Sequence, residues 1–173
     1  RVGKYAVSIA KSLRLSEKKI ERIRTAALLH DIGKIGIDDN ILKKCEKLTD
    51  MEYAAIKNHP TIGAEIIKDV GFLKDSMDIV KHHHERYDGK GYPDGLKGSE
   101  IPVEASILIL ADSFDAMTTD RPYRKAMSYE EAIKEEGLIS FEGEYITPMV
   151  KHCHMEAPIS YAYAESGRMV VVT

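Results

Sequence analysis

The feature that most constrains this chain is its apolar spacing, which repeats every three to four residues along most of its length. The first stripe consists of Val2, Tyr5, Ala6, Ile9 and Leu13. Such a repeat places apolar side chains on one face of an α-helix. Because each face must be buried against other helices, we expect an all-α fold class, a bundle of helices around one core.

Local start and stop signals predict where the helices lie. Ser16 is a candidate cap for a helix that reaches about Asp31 and ends through Gly33. Its inward-facing residues are predicted to be Ile20, Ile23, Ala27 and Leu28. Thr49 and Glu52 form a capping-box signature for a short helix, and Pro60 and Gly71 bound the next one. Further helices are expected at about 74–84 and 102–119, and one beginning at Ser128 and Glu131.

Two other segments differ from this helical pattern. Residues 85–100 hold four glycines and one proline, so we expect a loop there. Residues 169–173 have the composition of a short strand, which would need a partner. The whole chain, 1–173, is interpreted as one domain.

Composition narrows the class of protein. Of the 173 residues, 43% are hydrophobic and 31% are charged, which is typical of a globular domain, and the net charge of −3 argues against long nucleic acids as partners. No apolar run approaches the length that spans a bilayer, so we expect no membrane insertion and no signal peptide. The two cysteines, Cys45 and Cys153, form no CxxC pair, which favours a reducing, cytoplasmic location without disulfides.

His30 and Asp31 lie at the end of a helix whose inner stripe is otherwise apolar. A carboxylate beside such a stripe is costly unless it is paired or bound to a metal. A lone His-Asp pair is more often an ordinary surface feature. Here Lys34 follows one helical turn after His30, which would place a cation at the same site.

Three histidines in a row, His82, His83 and His84, close a predicted helix. His83 continues the apolar face of Ile79, and His84 that of Val80. We therefore predict that His83 and His84 are metal ligands and that His82 faces solvent. The alternative is a polar helix end at which the helix dipole favours histidine.

Asp112 has the helical spacing of the apolar Ala105, Leu108, Ile109 and Ala116, so its carboxylate is predicted to be buried and to need a cation. Asp115 lies one turn further on, and two nearby carboxylates repel each other unless positive charge lies between them. The alternative for both residues is a cap or an ion pair with Arg121 or Arg124.

His59 precedes Pro60, which biases it toward an extended conformation that points off a helix start. Together these imidazoles and carboxylates suit iron, manganese or zinc better than calcium. One carboxylate among several imidazoles can bridge two ions, the arrangement used to cleave phosphoesters.

The ordered motifs resemble the HD-GYP subgroup of the HD phosphohydrolases over about residues 1–133. They are 30–34 (HDIGK), 59–60 (HP), 83–93 (HHERYDGKGYP), Asp112 and 121–124 (RPYR). The resemblance implies an HD-domain helical bundle with a glycine-rich loop beside a metal site. The activity it implies is hydrolysis of cyclic di-GMP, or a related cyclic dinucleotide, to linear pGpG or GMP in bacterial signalling.

The resemblance also implies roles for individual residues. Asp31 would bridge two of two or three divalent metals, most often iron or manganese, with zinc, nickel or magnesium as alternatives. His30 and Asp112 would hold one metal, and His59, His83 and His84 the other. Lys34 would protonate or stabilise the leaving oxygen. The expected substrate contacts are Tyr92, Asp115, Arg121 and Arg124, and the loop with Gly89, Gly91 and Pro93 would bind GGDEF-domain proteins in some members. A homodimer is a further expectation.

The sequence departs from the family pattern in three places. Family members carry a further metal-ligand histidine just before the segment that matches Arg1 and Val2, and we expect it in the natural chain. Cys45 and Glu46 stand where a Pro-Gly turn is usual. The tail at 137–173 matches poorly, and its His152, Cys153 and His154 are not expected to form a second metal site.

Two other functions remain open from the sequence. The first is a receptor or adaptor that binds cyclic di-GMP or a GGDEF domain without cleavage. The second is an HD phosphohydrolase that acts on another nucleotide.

Overall fold

The computed structural model describes residues 1–44, 46–120 and 125–128, together with the strand residues 140–141, 161–165 and 168–172. Helices dominate the described part of the chain. The α-helices are α1 Val2–Ser12, α2 Glu17–Leu29, α3 Asp39–Leu42, α4 Asp50–Lys57, α5 His59–Ile67, α6 Met77–Lys81 and α7 Val103–Met117. Three 3₁₀ turns, Ile32–Gly36, Lys74–Ser76 and Gly98–Glu100, connect them.

One core holds this bundle together. Helix α1 packs against α2 and α7, and α5 packs against α6 and the 3₁₀ turn Ile32–Gly36. Ala6, Ile9, Ile23, Ile79 and Leu108 are among the side chains buried where these helices meet. Their apolar area removed from water supplies the main driving force for the arrangement. The predicted helical bundle is therefore confirmed.

The inner stripe of α2 was predicted correctly at Ile20, Ile23 and Ala27, but wrongly at Leu28. The Leu28 side chain is 79% exposed. Five residues after Ile23 is about 140° round the helix, so Leu28 lies beyond the edge of the buried stripe. Ala26 is buried instead.

The helix starts follow local chemistry closely. Thr49 and Glu52 form a reciprocal capping box at the start of α4, as predicted. Pro60 lies in the first turn of α5. Ser16 holds the N-cap position of α2, although its side chain makes no capping hydrogen bond. Helix α2 ends at Leu29, so the predicted stop at Gly33 is wrong, and Gly33 lies inside the following 3₁₀ turn.

The tail adds a small β-sheet to the helical bundle. Strands β1 Ser140–Phe141, β2 Tyr161–Glu165 and β3 Arg168–Val172 form an antiparallel sheet in the order β1-β3-β2. The short strand predicted at 169–173 is thus confirmed, and it has a partner on each side. Of the helix predicted from Ser128 and Glu131, Glu131 lies outside the described residues, as do His152, Cys153 and His154.

Membrane insertion was not expected from the sequence. Among the described helices, none combines the length and the apolar character that crossing a membrane requires.

Candidate metal centre

Four separate segments bring the predicted metal ligands together. His30 and Asp31 follow the end of α2, and His59 begins α5. His83 and His84 come immediately after His82, the C-cap residue of α6, and Asp112 lies in α7. Since these helices share one core, their ends and faces meet at a single site.

Asp31 lies between two groups of side chains. Its Oδ1 is 3.4 Å from Nε2 of His59, and its Oδ2 is 3.6 Å from Nε2 of His30. The same His30 nitrogen is 3.7 Å from Oδ1 of Asp112. The two oxygens of one carboxylate therefore face different imidazoles, so Asp31 can offer one oxygen to each side of the site.

The most compact part of the site consists of Asp31, His59, His83 and His84. Each offers one ligand atom, and these atoms all lie within 4.8 Å of one another. Nε2 of His59 is 3.4 Å from Nε2 of His83. Imidazole nitrogens and a carboxylate oxygen that converge in this way match the ligand preferences of iron, manganese and zinc.

Backbone carbonyls orient three of the imidazoles. Nδ1 of His30 lies 3.0 Å from the Ala27 carbonyl, and Nδ1 of His59 lies 2.7 Å from that of Ile56. Nδ1 of His83 lies 2.7 Å from the Val80 carbonyl. A carbonyl can only accept, so Nδ1 is the donor in each ring, and in a neutral ring Nε2 then keeps its lone pair. Anchoring the remote ring nitrogen is the usual way in which proteins orient a metal-binding histidine.

The surroundings favour the metal-binding protonation states. Burial lowers the pKa of His83 well below its ordinary value, and burial followed by the nearby His59 lowers the pKa of His84 to about 3. Burial also lowers the pKa of His59. For Asp31, burial acts to raise the pKa, but the hydrogen bond from Lys34, the neighbouring His30 and the charge of Lys34 lower it overall. Neutral imidazoles and an ionised carboxylate are the forms that bind metal ions.

Two further predicted residues lie against this cluster. Lys34 Nζ donates to Oδ2 of Asp31 over 2.7 Å. The Tyr92 ring stacks on the His84 ring, with centroids 4.9 Å apart and planes inclined by 28°. Burial, followed by neighbouring groups that include Tyr53 and Asp31, raises the pKa of Tyr92, so its phenol stays protonated and remains a hydrogen-bond donor.

Glu85, which the sequence interpretation missed, holds the loop that carries Tyr92. Its side chain is 1% exposed and accepts hydrogen bonds from the backbone N–H groups of Asp94, Gly95 and Leu96, at 2.7, 3.1 and 3.0 Å. Three backbone donors satisfy the buried carboxylate and fix the far end of the loop. The sequence contained one signal for this role of Glu85, which is its position directly after the predicted ligand His84.

The same loop requires glycine at position 91. A Cβ atom there would lie 2.3 Å from the Arg86 backbone nitrogen and 2.4 Å from the Glu85 Cα. The loop therefore folds back on its own start, which brings Tyr92 beside His84. Gly89 has a φ of 78°, and the Tyr92–Pro93 peptide bond is cis.

A sequence model described as an HD domain matches residues 1–136. The chain belongs to the HD domain family. It is 39% identical over 171 residues to the cyclic di-GMP phosphodiesterase response regulator RpfG of Xanthomonas campestris pv. campestris, which covers 98% of this chain and 38% of that protein. It is 41% identical over 140 residues to the 3′3′-cGAMP-specific phosphodiesterase 3 of Vibrio cholerae, covering 80% of this chain and 30% of that protein. The HD-domain chain therefore spans about two fifths or less of the length of these relatives.

The structural comparison agrees with this family. Bd1817, an HDG"Y"P protein from Bdellovibrio bacteriovorus, superposes with a TM-score of 0.62 at 26% identity, covering 77% of this chain and 42% of that one. The predicted resemblance to HD-GYP proteins is confirmed. Residues 30–34 thus carry the His-Asp pair that names the family, and residues 91–93 carry its Gly-Tyr-Pro motif.

Two expectations for this HD site need correction. His82 turns away from the cluster, as expected, but it is buried rather than solvent-facing, because the Gly-Tyr-Pro loop covers it and Asp94 Oδ2 lies 3.0 Å from its Nε2. The Asp112 side chain is 30% exposed rather than buried. Its helix face lines the site, and the site opens to solvent there.

Three further residues of the HD domain, Asp115, Arg121 and Arg124, were predicted to contact the substrate. Asp115 forms an ion pair with Arg1, whose Nε is 3.0 Å from its Oδ1. This matches the predicted alternative of an ion pair, with a different arginine. Arg121 and Arg124 lie outside the described residues, so their contacts with substrate stay predictions.

Proposed function

We propose that this chain is the HD-GYP catalytic domain of a metal-dependent phosphodiesterase that hydrolyses cyclic di-GMP or a related 3′,3′-cyclic dinucleotide. The observation that carries the proposal is the Asp31 carboxylate, whose two oxygens face separate imidazoles of His59 and His30. Clusters that hold two cations on one shared carboxylate suit phosphodiester cleavage. The relatives named for cyclic dinucleotide hydrolysis support the same substrate class.

The donor set fits two or three divalent cations. His59, His83 and His84 would hold one cation, His30 and Asp112 another, and Asp31 would bind both. Iron or manganese suits this mixture of imidazole and carboxylate ligands best, with zinc, nickel or magnesium as alternatives. When bound, such cations lower the pKa of water and offset negative charge on a phosphoryl group.

The protein's own side chains would then position the substrate and handle the proton. In the reaction, water adds to phosphorus, the bond from phosphorus to the 3′ oxygen breaks, and a linear dinucleotide results. Lys34, whose ammonium lies at Asp31, would protonate or stabilise that leaving oxygen. Tyr92 would contact the substrate from the His84 side. Arg121 and Arg124 would hold phosphates and bases, and Asp115 would be a further substrate contact.

The proposed function includes a cellular role for this activity. The domain would act in bacterial second-messenger signalling in the cytoplasm. A GGDEF-domain partner that docks on the loop with Gly89, Gly91 and Pro93, and a homodimer, are further proposals. These rest on the family resemblance alone.

A substrate panel tests the proposed function. The metal-loaded protein is incubated with cyclic di-GMP, 3′3′-cGAMP, a linear dinucleotide, a deoxynucleoside triphosphate and a guanosine tetraphosphate, and the products are separated by chromatography. We expect linear product from one or both cyclic dinucleotides. Turnover of the linear nucleotides alone would point to a different phosphohydrolase, and tight binding without turnover would point to a receptor.

A further inference from the structure

Lys57, at the end of α4, lies beside the candidate metal centre on a surface made by two tyrosines. Its Nζ is 4.6 Å from the centroid of the Tyr53 ring and 5.6 Å from that of the Tyr92 ring. Both distances are in the range in which an aromatic face attracts a cation. The side chain is also partly buried, which limits the positions that its ammonium can take.

Among the residues that the structure describes, no acidic side chain neutralises the charge of Lys57. Within the described ranges of the chain, no carboxylate lies at ion-pair distance from it, whereas Lys34 pairs with Asp31, Lys44 with Glu52 and Lys81 with Asp94. Aromatic faces attract a cation without cancelling its charge. In the described part of the chain, an anion that approached this surface would therefore meet an ammonium that lies near two aromatic rings and has no carboxylate partner.

The position of this ammonium relates directly to the metal centre. The Tyr92 ring whose centroid is 5.6 Å from Lys57 Nζ also stacks on the ring of His84 at 4.9 Å. Lys57 is also two residues before His59 in the chain. One aromatic ring therefore contacts both the cluster and the cation.

We infer that Lys57 is a substrate-binding residue that holds the phosphodiester which is not being cleaved. This inference rests on the proposed function. A cyclic dinucleotide has two phosphodiester groups in one ring, so when one is at the metal centre the other remains as a second anion nearby. An ammonium group contacts phosphate as a point charge, and Tyr53 and Tyr92 would keep it at the required place.

Kinetics with two kinds of substrate test this role. The Lys57→Met variant keeps the aliphatic stem on the rings and removes the charge. With metal-loaded protein, we expect the KM for the cyclic dinucleotide to rise about 10- to 100-fold, the effect of losing one hydrogen bond to a charged group, with little change in kcat. For bis(4-nitrophenyl) phosphate, which has a single phosphodiester, kcat/KM should change by less than about twofold.

Two control variants accompany this measurement. Lys57→Arg keeps the cation and should recover most of the affinity. Lys68→Met removes a charge from the exposed residue that follows α5, about 13 Å along the helix axis from His59. This variant should leave KM and kcat/KM unchanged for both substrates.

An equal loss of kcat/KM for both substrates in Lys57→Met would be a structural effect and would overturn the inference. An unchanged kcat/KM for both substrates would overturn it as well. If the wild-type protein binds the cyclic dinucleotide without cleaving it, the proposed function fails but the role of Lys57 does not. Calorimetry then decides, and a Kd for Lys57→Met within about twofold of wild type would overturn the role. If the wild-type protein neither binds nor cleaves, both proposals fail.

Discussion

Asp31→Asn should lower the turnover of cyclic di-GMP by about a thousandfold, the scale on which loss of one charge-stabilising group lowers kcat. Asparagine keeps the shape of the side chain but has one oxygen and no negative charge. It can therefore offer a ligand oxygen beside His59 or beside His30, but not beside both. The variant should fold normally and bind less metal. The measurement is kcat and metal content per chain on the same preparation.

Asp39→Asn is the matched control for Asp31. The Asp39 side chain is 74% exposed and pairs with Lys43, one turn further along the surface at the end of α3. Exposed pairs of this kind contribute little to stability. We expect wild-type turnover from this variant. Full activity in a folded, equally metal-loaded Asp31→Asn protein would show that the shared carboxylate does not carry the reaction.

Gly33→Ala should destabilise the fold by about 3 kcal/mol, a lowering of Tm by about 6–12 °C for a chain of this size. A Cβ atom at this position would lie 1.9 Å from the His59 carbonyl oxygen and 2.5 Å from the Gly63 nitrogen. Both atoms belong to the backbone of α5, so relief requires a shift of that helix. Because the shift would move His59 away from Asp31, metal affinity should fall as well. Thermal unfolding with and without metal measures both effects.

Gly71→Ala provides the control for Gly33. A Cβ atom at position 71 would meet no atom within 4 Å. We expect a Tm within about 2 °C of wild type, since an alanine without steric conflict changes mainly the entropy of the unfolded chain. If Gly33→Ala melted at the temperature of Gly71→Ala, the close approach of the 3₁₀ turn to α5 would not be a constraint on the site.

Features set by neighbours in the sequence were predictable. The capping box of Thr49 and Glu52 depends on residues three apart, and Pro60 defines a helix start through its own backbone. The apolar stripe of α1 was read from spacing alone. The side of α7 that faces the site was found in the same way through Asp112. Local periodicity therefore predicted the helices and the residues on them that face the core or the site.

Features set by contacts distant in the sequence were not predictable. His82 is buried because Asp94, 12 residues later, returns to it. Glu85 binds amides 9 to 11 residues later, and Gly33 is needed because the backbone of α5 packs against it. Spacing shows which face a residue occupies but not which loop will cover that face. For the same reason it did not reveal that Asp112 keeps access to solvent.

We expect the cluster around Asp31 to bind divalent metal, and we expect hydrolysis of a cyclic dinucleotide to require that metal. The most direct test measures metal content and cyclic di-GMP turnover together, before chelation, after chelation and after manganese or iron is restored. We expect about two or three ions per chain at full activity, loss of turnover when they are removed, and recovery when they return. Undiminished turnover by folded protein that is free of metal would contradict the account.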